Sequence, residues 1–179
     1  MNCHNGAKYL NDAVVSLKNQ TYKNWELIFF DNFSNDTSRK IIKGFKNKKI
    51  KYFFSKKKLK LYHARNLAVK KARGEFISFL DSDDKWRKDK LELQIKFFKK
   101  NKDINFVYSN YLIFYEKDKI TKIFFENKLP SGLISQKLLD KYVVGILTVM
   151  IRKSILKKEK FNRDFEIIGD FDLFFNLSK

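Results

Sequence analysis

Cysteine and proline occur once each in this 179-residue chain, histidine twice and glycine six times. A single cysteine, Cys3, cannot build a disulfide framework. It has no Cys or His companion at metal-site spacing either, so it reads as an ordinary buried thiol in a reducing, intracellular setting. His4 and His63 also lack partners at ligand spacing. So little proline and glycine argues against a loop-rich or low-complexity architecture. Long apolar runs are missing too. The longest, Tyr142 to Ile151, is about half of the roughly 20 residues that a membrane-spanning helix needs. Met1 to Gly6 has neither the basic nor the apolar region of a secretory signal.

What is present is enough for a core: 44% of the residues are hydrophobic, which suits one domain of residues 1–179. Nineteen phenylalanines contribute to it, and pairs such as Phe29-Phe30, Phe53-Phe54 and Phe97-Phe98 fit strand or helix packing better than base stacking. Basic residues outnumber acidic ones, 39 against 20, for a formal charge of +19. Three readings of that charge stand side by side: a nucleic-acid partner, an anionic lipid surface, or an AT-rich coding sequence that enriches Lys, Asn, Ile and Phe together. The lysines fall in scattered clusters (46–51, 56–60, 96–102, 157–160) that suit solvated faces, and no nucleic-acid recognition motif accompanies them, so no nucleic-acid partner is expected.

The apolar pattern alternates between periods. Leu10, Ala13, Val14 and Leu17 predict a helix over 7–19, Trp25 to Phe30 a strand, and Asp31 to Asp36 a loop in which Ser34 or Asp36 caps a helix through about Phe45. A strand over 50–54, a helix over 61–73 ended by Gly74, and a strand over 75–80 follow. This rhythm predicts a mainly parallel sheet with right-handed crossovers. Beyond it the expected elements are a helix over 89–100, a hairpin of 105–115 with 120–126, a short helix over 134–142, a strand over 145–152 and a last helix from about Asp170.

One run concentrates chemistry. Gly74 to Leu80 reads as a central strand that ends in Asp81-Ser82-Asp83-Asp84, and carboxylates at a strand's carboxyl end lie where open α/β sheets bind ligands. Hard oxygen ligands suit Mg²⁺ or Mn²⁺ bridging a carboxylate to a phosphate. The same short acidic run also makes a good turn and helix N-cap. A calcium loop is a poor fit, because Lys85-Trp86 stand where a further oxygen ligand and a glycine are needed.

Six separated segments, in order, resemble the nucleotide-sugar-binding part of a family 2 glycosyltransferase. They are Asn5-Gly6 with Tyr9-Leu10, Ser16 to Tyr22 leading into Trp25 to Ile28, Asp31 to Ser38, Ala64-Arg65-Asn66, Gly74 to Trp86, and Gly169 to Leu173. The resemblance implies an α/β GT-A fold, Rossmann-like, with a donor-binding half at 1–100 and an acceptor-side half at 101–179. It implies that Asp31 lies on the nucleotide side and that Arg65 reaches phosphate or ribose oxygens. Asp81 and Asp83 match an Asp-x-Asp motif, with Asp83 the metal ligand, and Asp170 matches the general base. Also implied are a nucleotide-sugar donor, in particular a UDP-sugar, an inverting transfer assisted by Mg²⁺ or Mn²⁺, and a surface polysaccharide or lipid-linked glycan as acceptor. The place of action would be the cytoplasm or the inner face of its membrane, where a basic surface meets anionic lipid.

The chain departs from that family in three places. The apolar strand expected before Cys3 is missing, which would expose backbone groups and apolar faces beside it. His4 stands where Tyr or Phe is usual, and Gly169 where Glu is usual. The sequence also stops near the Asp170 helix, so a truncated chain is expected. An inactive remnant of the fold and a basic nucleic-acid-binding module are the rival readings.

Overall fold

The computed structural model describes all residues 1–179. Its first half builds a three-stranded parallel sheet from β1 (Asn2–Cys3), β2 (Leu27–Asp31) and β3 (Ile50–Phe54), in the order β1-β2-β3. Asp31 is paired with Cys3 on one side and Phe54 on the other, so β2 is the central strand and its carboxyl end is flanked by both neighbours. All five β2 residues are buried, which explains why the segment reads as an unbroken apolar run with one terminal carboxylate.

Helices cover both faces of this sheet. Leu27 and Phe29 pack with Leu10, Val14 and Leu17 of α1 (Ala7–Lys18) and with Leu91, Ile95 and Phe98 of α4 (Lys90–Lys100). Ile28 and Phe30 point the other way, onto Ala64 and Ala68 of α3 (Leu61–Lys71). The two-residue alternation of β2 therefore decides which helix lies on which face. Between β2 and β3 the chain forms α2 (Ser38–Gly44).

The cap expected of Ser34 or Asp36 is shared in an unforeseen way. Asp36 Oδ1 accepts from Ser38 N at 2.9 Å, while its Oδ2 accepts from Ala7 N at 2.9 Å. Ser38 Oγ takes Gly6 N at 3.1 Å. Free N–H groups at the start of α1 are thus satisfied by the loop after β2, because α1 has no capping side chain of its own.

The second half adds an antiparallel sheet of order β4-β8-β5, from β4 (Phe76–Ser78), β5 (Phe106–Val107) and β8 (Met150–Arg152). The late strand β8 lies between β4 and β5, so the two halves of the chain interlock. A hairpin of β6 (Leu112–Tyr115) and β7 (Ile120–Ile123) projects from it. The strand expected over 105–115 is split by residues 108–111, and that over 145–152 begins with a 3₁₀ turn, Ile146–Thr148. The remaining helices are α5 (Ser135–Asp140), α6 (Lys153–Lys158), which the apolar pattern did not suggest, and α7 (Gly169–Leu177). No helix is long and apolar enough to cross a membrane.

Of the strand expected to be missing ahead of Cys3, two residues are present as β1. No strand bonds to β4 on the side away from β8, and a cavity of about 870 Å³ is lined by Trp25 and Glu26 ahead of β2 and by Phe76 and Ser78 of β4. Trp25 Nε1 and Ser78 Oγ are buried there without a hydrogen-bond partner.

Candidate active site

The carboxyl ends of β2 and β4 carry the acidic residues singled out in the sequence. After Ser78 the chain continues through the buried Phe79 and Leu80 into Asp81 to Asp84. The start of α1 presses against this loop: a Cβ on Gly6 would lie 2.5 Å from Ser82 Oγ and 2.9 Å from Cys3 Sγ. Only glycine allows that approach.

Arg65 and Asp81 form an ion pair, Nη2 to Oδ2 at 2.8 Å, with the guanidinium side chain 5% exposed and the carboxylate 30%. The guanidinium carbon lies 5.5 Å from the centre of the Tyr62 ring and 5.8 Å from that of Phe161. Tyr62 and Arg65 are three residues apart on α3 and share a face. The Tyr62 hydroxyl donates to Ile167 O at 2.6 Å and reaches Asp170 Oδ1 at 3.3 Å, which also accepts from Phe171 N at 2.9 Å. Burial, with the Asp170 charge second, raises the Tyr62 phenol above its ordinary range. A continuous chain of contacts therefore runs from the acidic loop to Asp170: Asp81, Arg65, Tyr62, Asp170.

Asp170 sits in the first turn of α7, whose N-cap is Ile168. Asp170 therefore does not cap the helix that carries it. Gly169 has its own reason, since a Cβ there would meet Tyr62 Cδ2 and Cε2 at 2.6 Å. Gly169, which stands where the resemblance expects Glu, is the residue that lets α7 close on Tyr62.

Asp83 is exposed and makes no hydrogen bond or ion pair within the protein. Asp84 is half-buried, and desolvation, reinforced by the charges of Asp81 and Asp83, pushes its carboxyl up to about 7. No three His, Cys, Asp or Glu side chains form a cluster able to hold a metal by themselves. That donor set fits a hard divalent cation shared between one or two carboxylates and a ligand's phosphates, and it does not fit an all-protein cage.

Asp31 is placed differently from what its expected contact with a nucleotide requires. It has no accessible surface, and its oxygens are taken by Ser34 N at 2.8 Å and the Tyr52 hydroxyl at 2.7 Å. Its visible role is to pin the turn after β2. Arg65 is likewise buried and engaged, with Asp81 as its partner.

Three tyrosines at the site have no motif to announce them. Tyr62 links Arg65 to Asp170, and its three-residue spacing from Arg65 was the available signal. The phenol of Tyr142 is buried without a partner and its ring packs edge-on against Phe171 at 5.2 Å. Burial first, then the negative charge of Asp170, drives that phenol far above its ordinary range. Tyr111 is raised by burial and by Asp84, and its ring lies 2.7 Å from where a Gly145 Cβ would be. His4 Nδ1 donates to Asn32 O at 3.0 Å, and Cys3 is buried as expected.

The family model described as "Glycosyl transferase family 2" matches residues 1–159. Among curated proteins, the chain is 35% identical over 161 residues to the UDP-Glc:alpha-D-GlcNAc-diphosphoundecaprenol beta-1,3-glucosyltransferase WfgD of Escherichia coli, covering 90% of this chain and 62% of that protein. It is 32% identical over 150 residues to the putative teichuronic acid biosynthesis glycosyltransferase TuaG of Bacillus subtilis (strain 168), covering 83% of this chain and 58% of that one. The chain thus spans about three fifths of the length of these relatives. Among solved structures it superposes on S. aureus TarS 1–349 with a TM-score of 0.75 at 22% identity, covering 96% of this chain and 52% of that one, which establishes the GT-A fold.

Proposed function

Because the chain belongs to glycosyl transferase family 2, we propose that it is the donor-binding and catalytic part of an inverting glycosyltransferase that moves a sugar from a nucleoside-diphosphate sugar, in particular a UDP-sugar, to an acceptor hydroxyl. The observation that carries this reading is the contact chain Asp81–Arg65–Tyr62–Asp170, which ties the acidic loop to a carboxylate in the first turn of α7.

In that reading residues 1–100 hold the donor and 101–179 face the acceptor. Asp83, free of protein partners, would hold Mg²⁺ or Mn²⁺ when the donor is bound, and Asp81, fixed by Arg65, would face the ribose. The cation, when bound, offsets charge on the departing diphosphate. Asp170 accepts the proton of the acceptor hydroxyl as the oxygen attacks the anomeric carbon from the side opposite the leaving diphosphate; one bond forms as the other breaks, and the configuration inverts. Its Oδ1 accepts from Phe171 N and lies 3.3 Å from the Tyr62 hydroxyl, and Oδ2 makes no protein hydrogen bond and is available for the proton. Asp31 supports the nucleotide end through the turn it pins. The names of WfgD and TuaG favour a lipid-linked or polysaccharide acceptor. A charge of +19 favours residence at the anionic inner face of the cytoplasmic membrane.

The test is thermal stabilisation by UDP, GDP and CDP, each with and without Mn²⁺, for the chain and for Asp83→Ala. Stabilisation by one nucleotide that needs both the cation and Asp83 is the expected result. Equal stabilisation of Asp83→Ala would refute the metal assignment, and no response to any nucleotide would refute the donor-site reading.

A further inference from the structure

Phe33 has a backbone φ of 67°, in the left-handed region that a bulky residue seldom occupies. Such a conformation persists only where the surroundings over-determine it. Here they do. Asp31 Oδ1 accepts from Ser34 N at 2.8 Å, and Asn5 N donates to Ser34 Oγ at 3.0 Å. Asn35 N donates to Asn5 Oδ1 at 2.9 Å, and the Asn32 amide bonds Leu59 O at 2.8 Å and Leu59 N at 2.9 Å. Glycine would take the same φ at no steric cost, so the phenyl group needs a separate explanation.

Core packing does not supply one. Phe33 is 47% exposed, Phe54 is 44% exposed, and neither belongs to a hydrophobic cluster of the protein. The two rings lie together, centroids 6.3 Å apart and tilted by 36°. Phe54 is the register partner of Asp31, so both rings stand at the carboxyl ends of adjacent parallel strands, the edge at which open α/β sheets bind ligands. A tilted pair at that spacing leaves no room for a planar group between the rings, but it presents a continuous aromatic shelf on its outer faces.

Resting on the donor-site reading above and going beyond it, we propose that Phe33 and Phe54 form the platform on which the base of the donor nucleotide stacks. Every nucleobase has a π-face, and stacking on an exposed aromatic ring is favourable without any hydrogen bond to the base. The shelf therefore contributes affinity for the nucleoside end, while the acidic loop engages the diphosphate.

The test is calorimetric titration of the full chain, in Mn²⁺, with UDP and separately with inorganic pyrophosphate, for the wild type, Phe33→Gly and Phe54→Ser. Each variant is expected to bind UDP roughly tenfold more weakly and pyrophosphate as the wild type does. Phe33→Gly is also expected to keep or raise the thermal midpoint, since it removes the strained residue. UDP affinity within about twofold of wild type in both variants overturns the proposal, as does an equal loss for pyrophosphate, which would place the effect away from the base. Loss of self-association in Phe33→Gly with unchanged UDP affinity would assign the shelf to a second copy of the chain and also overturn it. A wild type that binds pyrophosphate but no nucleotide more tightly overturns this inference alone. A wild type that binds neither UDP, GDP, CDP nor pyrophosphate overturns the donor-site reading together with it.

Discussion

Replacing Gly169 by alanine forces a methyl group into the Tyr62 ring, 2.6 Å from Cδ2 and Cε2 and 2.8 Å from Cγ. Carbon contacts settle near 3.5 to 4 Å, so one side must retreat by about 1 Å. The ring has little freedom to do so: Tyr62 is 2% exposed, stacks on Phe161 at 5.6 Å, and holds Ile167 O through its hydroxyl at 2.6 Å. Overpacking of this kind costs about 1–3 kcal/mol, and loosening the hydroxyl bond adds about 1 kcal/mol. Alanine returns less than about 1 kcal/mol of helix propensity, because the position is the first of α7. The net loss is about 2 kcal/mol, a fall of roughly 4–8 °C in Tm for a domain of this size. Urea unfolding followed by the fluorescence of Trp25 and Trp86 measures it. The argument also requires Gly169→Ala to become nearly neutral in a Tyr62→Leu background, where the ring is gone. An alanine variant within about 0.5 kcal/mol of wild type would refute it, because α7 would then be free to shift away from α3.

Other consequences are smaller or act elsewhere. Arg65→Met leaves Asp81 without its partner; since that carboxylate is partly solvated, the expected loss is about 2 kcal/mol, below the usual cost for a fully buried pair, and Arg65→Lys should recover little of it, as a chemical-denaturation series would show. Lys90 is pushed down from 10.5 to about 7 by desolvation. Below pH 7 the folded protein must carry that charge at a cost. As pH rises from about 7 toward 10.5, the folded state sheds the proton while the unfolded state keeps it, so the cost is relieved. The stability of Lys90→Met relative to wild type should therefore be greater at pH 6 than at pH 9.5, and a pH-independent difference would contradict the assignment. Ser78→Ala removes a buried hydroxyl that has no partner and should raise stability by about 1 kcal/mol; a loss in the same unfolding assay would mean that the hydroxyl is satisfied in solution.

Much of the first half was legible because its signals are local. The four apolar positions of α1 and the unbroken apolar run of β2 each depend on residues close in sequence, and each lies where its pattern placed it, whereas the run read as a central strand over 74–80 forms only the three-residue edge strand β4, because its one hydrogen-bonded neighbour is the antiparallel β8. The second half was harder to read. Its strands are two to four residues long, and although β6 and β7 pair locally, β8 pairs antiparallel with β4 and β5 across large sequence distances, through contacts that no periodicity records. The short α6 likewise has too few turns to show an apolar stripe.

Local sequence alone supplied three aspartates after β4, Asp170 ahead of the last helix's apolar residues, a +19 chain with one thiol, and six segments that match the family. Tertiary structure decided what each of them touches. It turned Arg65 toward Asp81, covered Asp31 beneath Tyr52, left Asp83 without a protein partner and set Tyr62 between Arg65 and Asp170. Those outcomes depend on how α3 and α7 pack over the sheet, and a glycine at 169 is legible as a requirement only once the ring that it admits is known.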